Sequence, residues 1–284
     1  MAHDLVGRNH GCRGIRTCVP SIPTPRRRTA TQPPDVGWNR TAETKETLVT
    51  TQTSTIEADL EPGTDDEVGR VLAELASLED PKMRAVNERH GDDHGVNLTK
   101  LRAVAKRLKT QHDLAIRLWE TGETPARLVA LLICRPKAYS AAELDAMLRE
   151  ARAPKVQDWL VNYVVKKSPH VEELRVAWFD DADPTVASAG WALTSTRVQK
   201  SPEGLDLPGL LDLIEADMKR APDRLQWAMN ECLAHIGISH PEYRARALAI
   251  GERLEVLKDY PTAPGCTSPF APIWITEIVR RQSA

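Results

Sequence analysis

The chain has no apolar run long enough to cross a bilayer; stretches such as Leu128–Cys134 fall far short of the roughly 20 residues a membrane helix needs. Its Arg-rich start is followed by no continuous apolar segment and no small-residue cleavage site, so export by a signal peptide is not expected. Cysteine is scarce, with five residues at irregular spacings. Cys134 and Cys232 fall inside apolar helical patterns, which reads as reduced core thiols of a cytoplasmic protein rather than a disulfide framework. Neither charge sign is in excess: 38 Lys and Arg stand against 40 Asp and Glu. Binding to a polyanion would therefore have to come from local clusters. The sequence also lacks a Gly-rich phosphate loop, a Ser-His-Asp ordering and a Cys-x-x-Cys pair, so the usual catalytic signatures are missing. Strict apolar–polar alternation is absent too, which leaves no place for a sheet.

What is present divides into two parts. Residues 1–60 combine Pro20, Pro23, Pro25, Pro33 and Pro34 with Arg26, Arg27 and Arg28 and a Thr-rich stretch, a composition that buries little apolar surface. This reads as a disordered N-terminal extension, either a basic arm or a segment translated from an upstream start. Residues 61–284 read as one folded domain of roughly 220 residues. From Asp65 onward Val68, Val71, Leu72, Leu75 and Leu78 recur at helical spacing, and that helix is expected to end at Asp80-Pro81. The next places Leu98, Leu101, Val104, Ala105 and Leu108 on one face.

Beyond it, Thr124-Pro125, Ser168-Pro169, Asp183-Pro184, Ser201-Pro202 and Ala221-Pro222 each predict a helix start, because a proline in the first turn loses no hydrogen bond. Ser140 with Glu143 predicts a capping box. Short helices with one apolar stripe each bury it by stacking as antiparallel pairs, so the expected fold is all-α, a solenoid of helical repeats.

Few side chains suggest chemistry by themselves. His90, Asp92, Asp93 and His94 lie close together, but Gly91 and Gly95 mark a turn and no further ligands follow at zinc-site spacing, so no metal is expected. Cys266 has no evident His partner and reads as packing. Lys100, Arg102, Lys106, Arg107 and Lys109 form one basic cluster, Lys166 with Lys167 a second, and Arg244, Arg246 and Arg253 a third. Such clusters are most often solvated helix faces. Seven tryptophans among four tyrosines and two phenylalanines is a lopsided usage. Most serve as core fillers in a helical repeat, although an indole face also stacks on a base or a cation.

Four segments carry a resemblance: VNLTKLRAVAKRLKTQHDLAIRLWETGETPARLVALLICRP, VQDWLVNYVVKKSPH, DPTVASAGWAL and QWAMNECLAHIGISHPEYRARAL. Together they make the chain from Asp80 to Gln282 similar to the AlkD-type alkylpurine DNA glycosylases, the HEAT-repeat DNA alkylation repair family. That resemblance implies a HEAT-like solenoid whose concave, positively charged face holds duplex DNA. It implies N3- and N7-alkylated purines as lesions, excised without being flipped into a pocket and without a cofactor. Such a base is already cationic and leaves as a neutral molecule. What remains is to stabilise an oxocarbenium-like sugar, which a carboxylate and indole faces do electrostatically.

Carried over by position, Trp159 and Trp227 match the two lesion-shielding tryptophans. Tyr163 stands where the family has its catalytic carboxylate, Ala187 and Ser188 replace an arginine pair, and Asn230 replaces a further arginine. Asp158 is set aside, because one residue of offset rotates a side chain about 100° around an α-helix. Lys166, Lys167, Asn230, Arg197 and Arg244 are the DNA contacts this implies. Two functions stay open: a cytoplasmic, monomeric DNA N-glycosylase acting at the nucleoid, or a non-catalytic HEAT-repeat module that binds DNA or a protein partner.

Overall fold

A computed structural model describes residues 64–263 and 265–283 of the chain. The arm expected over residues 1–60 lies outside them. The described residues form helices α1 (Thr64–Ser77), α2 (Pro81–Glu88), α3 (Leu98–Leu108), α4 (His112–Glu120), α5 (Thr124–Ile133), α6 (Ala141–Glu150) and α7 (Pro154–Trp159). After these come α8 (Val171–Phe179), α9 (Pro184–Lys200), α10 (Leu207–Asp217), α11 (Asp223–Ser239), α12 (Pro241–Leu254) and α13 (Ala271–Gln282). Among the described residues, pairing between extended segments is limited to an isolated bridge between Glu79 and Val96. No helix among them is long and apolar enough to cross a membrane.

Local chemistry sets the helix starts. The Asp80 carboxylate accepts from the Lys82 amide at 2.8 Å, so Asp80-Pro81 opens α2 as well as closing the turn after α1. Asp183 accepts from Thr185 N at 2.8 Å ahead of Pro184, and Ser140 with Glu143 makes the full capping box of α6. Such caps satisfy amides that have no intrahelical acceptor. One expected start fails: Ser201-Pro202 closes α9, and α10 begins later, where the Asp206 carboxylate accepts from Gly209 N. Ser168-Pro169 likewise precedes its helix by two residues, since α8 opens at Val171.

The helices stack as a HEAT-like solenoid. Consecutive helices pair, α4 on α5, α8 on α9 and α11 on α12, while α3, α5 and α7 pack in series on one side, as α9, α11 and α13 do further along. Two buried clusters result. The first runs from Val71 to Leu193 and holds the fully buried Trp178, whose indole N–H donates to Asp145 at 2.8 Å. The second runs from Trp191 to Ile278. Helix α9 belongs to both, giving Val186, Ala189 and Leu193 to the first and Trp191 and Val198 to the second. Its close approach to α8 depends on Gly190, where a Cβ would lie 2.6 Å from the Trp178 carbonyl carbon and the Phe179 nitrogen. Cys134 and Cys232 are buried free thiols, as read, whereas Cys266 is disulfide-bonded and departs from that reading.

Candidate functional site

Helix α7 is short, and its placement is set from a distance. The buried Asp92 accepts from the Lys155 amide at 2.9 Å and so fixes the first turn of α7. Burial raises the Asp92 carboxyl above the ordinary carboxylate range, against the pull of that bond. The His90–His94 turn is thus a structural anchor: Asn87 donates to the His94 carbonyl, and Glu79 accepts from the Gly95 amide. Among the described residues no three ligand-type side chains stand together as a metal site.

After Trp159 the helix changes its winding. Leu160–Val164 form a π-turn and Val165–Lys167 a 3-10 turn, where the sequence suggested one regular helix. The π-turn closes i→i+5 bonds and is frequent at functional sites. A cleft of about 430 Å³ lies between this segment, α9 and α11. Trp159, Tyr163, Lys166 and Trp227, chosen from sequence, all line it, and Lys167 stands next to it with Nζ 5.7 Å from the Tyr163 ring centre.

Neither indole presents a bare face. Trp159 is only 6% exposed, with the Arg102 guanidinium 4.7 Å over its ring and Tyr163 set edge-on at 5.2 Å. Arg102 also reaches the Tyr163 hydroxyl, at 3.5 Å. Trp227 is 8% exposed, and Tyr260 meets it edge-on at 5.0 Å.

Asp158, set aside at the sequence level, lines the same cleft and pairs with Arg224 at 2.6 Å, tying α7 to α11. Sequence reasoning missed Arg224 and Glu231 altogether. The signal was available, since they lie three residues before and four after Trp227 and so share its helix face. Glu231 makes no hydrogen bond or ion pair among the described residues. Burial raises its carboxyl above the usual range, opposed by nearby Lys166. Burial also lowers the Lys166 ammonium, whose Nζ donates to Asn162 at 2.7 Å. One turn further, His235 is held down to about 4, first by burial and then by Lys166.

The remaining sequence-chosen residues are taken up by the fold. Asn230 is 1% exposed and donates to the Pro269 carbonyl at 2.9 Å. Arg244 donates to the Gly237 and Ile238 carbonyls, closing the end of α11. Arg197 is held by Glu172 and by the Ser201 and Glu203 carbonyls, in a separate depression beside Arg175. The third basic cluster is neutralised as well, Arg246 by Asp212 and Glu215, and Arg253 by Glu215. In the first, Arg107 pairs with Glu74.

The sequence profile of a family described as DNA alkylation repair enzyme matches residues 71–275. A solved structure is similar over 76% of this chain and 94% of its own, with TM-score 0.60 and 22% identity. It is described as a new family of proteins related to the HEAT-like repeat DNA glycosylases with affinity for branched DNA structures. No curated protein matches the chain.

Proposed function

Because the chain belongs to the DNA alkylation repair enzyme family, we propose that it binds DNA through the cleft between α7, α9 and α11, reading DNA shape rather than efficiently excising a base. One observation carries this: the cleft gathers Lys155, Lys166 and Arg224 around two indoles, and of its two carboxylates Asp158 is paired with Arg224 while Glu231 is buried near Lys166. Tyr163 stands where the resemblance places the carboxylate. Asp158 is neutralised by Arg224, and burial raises the Glu231 carboxyl against the pull of Lys166. Stabilising an oxocarbenium-like sugar needs a preorganised anion, and no carboxylate occupies the position the resemblance gives it. The cations supply a sequence-independent grip on phosphates. The affinity for branched DNA named for the similar structure fits such a grip.

The second reading, excision of cationic N3- or N7-alkylpurines, is favoured by Glu231 alone, since its carboxyl lines the cleft beside both tryptophans without a partner. Two measurements separate the readings: fluorescence anisotropy with labelled duplex and three-way-junction DNA, and release of N7-methylguanine from duplex DNA. Micromolar duplex binding at low salt, tighter junction binding and undetectable release are expected, with Tyr163→Asp raising release. Robust release by the unmodified protein, indifferent to Trp159→Ala and Trp227→Ala, would place the chemistry outside this cleft.

A further inference from the structure

The face of Trp159 is already occupied. The Arg102 guanidinium lies over its indole, 4.7 Å from the ring centre, closer than Lys167 comes to the Tyr163 ring at 5.7 Å. Arg102 comes from α3, on a different helix from the indole, and its side chain is otherwise exposed. Apart from the 3.5 Å contact to the Tyr163 hydroxyl it makes no hydrogen bond, and no carboxylate pairs with it among the described residues. A planar, delocalised cation on an indole is held by the same quadrupole that would hold a positively charged base. Two cations cannot share that face. With Tyr163 on the edge and only 6% of Trp159 exposed, no second stacking surface is left on this side chain.

We propose that Arg102 is a specificity-determining residue of the cleft: its guanidinium holds, over Trp159, the place a cationic base would take, and so makes the site indifferent to base charge. This rests on the reading that the cleft binds DNA. A guanidinium stacked on an aromatic face keeps its charge and its in-plane N–H donors, which can pair bidentately with a nearby phosphodiester. Arg102 therefore contributes to phosphate binding while denying the indole to the base. It acts through Trp159 and takes no part in bond breaking.

The test compares two labelled duplexes of one sequence, one with a single N7-methylguanine and one unmodified, titrated by anisotropy at several salt concentrations. The wild-type protein is expected to bind both with nearly equal affinity. Arg102→Ala is expected to favour the methylated duplex by about 2- to 5-fold, the worth of an exposed cation–π contact. The same variant should show a salt slope smaller by about 0.9, one phosphate contact. Arg102→Lys should keep the slope and gain only part of the preference, because an ammonium stacks less well than a guanidinium. The double variant Arg102→Ala, Trp159→Ala should lose the preference again.

A preference unchanged in Arg102→Ala, while Trp159→Ala weakens binding to both duplexes, overturns this role and leaves the cleft reading standing. A preference that survives in the double variant also overturns it, since the indole is then not involved. Binding indifferent to both Trp159→Ala and Lys166→Ala removes the cleft reading and this role with it. Melting curves of each variant confirm the fold, and Arg102→Gln replaces the alanine variant should that one melt early.

Discussion

Acidification from pH 7 to pH 4.5 probes the surroundings of His235. The Ser195 hydroxyl and the Gln199 amide both approach its Nδ1, each at 2.6 Å. Both can donate, so Nδ1 accepts, and the neutral ring carries its hydrogen on Nε2. A proton added at Nδ1 would face the Gln199 amide hydrogens, inside a site flanked by the Trp274 edge at 5.5 Å and by Lys166. Burial first, and then the charge of Lys166, holds the ring at about 4, against an ordinary value of 6.5. The unfolded chain therefore binds a proton that the folded chain refuses, and stability falls as pH drops from 6.5 toward 4. At 1.36 kcal/mol per pH unit, the loss at pH 4.5 is about 2 kcal/mol.

Glu231 works in the opposite sense. Its raised carboxyl takes up a proton in the folded state first, so acidification there adds stability. The comparison must therefore be with a variant that removes one titrating group alone. His235→Gln does so, since its amide oxygen can still accept from Ser195 and Gln199. In urea titrations at the two pH values, the wild-type protein should lose about 2 kcal/mol more than the variant. Equal losses would refute the description of this site.

Two further outcomes follow from the placement of side chains around the cleft. Replacing Lys166 and Lys167 together with alanine should lower the salt slope of DNA binding by about 1.8, so that the loss of affinity between 50 and 200 mM salt shrinks by roughly tenfold; an unchanged slope in anisotropy titrations places the DNA surface elsewhere. Asn230→Ala should cost about 1–3 kcal/mol in urea unfolding, because the Pro269 carbonyl loses its donor inside the fold, yet leave the DNA affinity of the folded protein as it was.

The helices were legible because their ends are local. Ser140 and Asp183 announce a cap within three residues, and the chain obeys, whereas Asp80-Pro81, read only as the end of α1, also caps α2, which the sequence reading passed over. Ser201-Pro202 misled because a proline after a polar residue also suits a helix exit, and only the Asp206 cap four residues after Pro202 decides between the two. The cleft was half legible. Trp159 and Trp227 came from the resemblance, and Lys166 from its place just after the tryptophan helix. Asp158 was lost by assuming one continuous α-winding through a segment that turns into a π-turn. Its partner Arg224 lies 66 residues away, a separation that no periodicity reports. The covering of Trp159 by Arg102 joins α3 to α7 in the same way.

The bond between Asp158 and Arg224 has a mechanical side. It links a helix of the first buried cluster to one of the second, and the two clusters are joined through α9. In engineering terms the pair is a tie rod across the cleft, alongside the helix that both clusters share. The rod is weak: a partly exposed ion pair contributes about 0–1 kcal/mol and is screened by salt. The tie therefore adds only a small preload to the packing along α9. A ligand that offers Arg224 another anion releases that preload at little cost, while the packing along α9 is untouched.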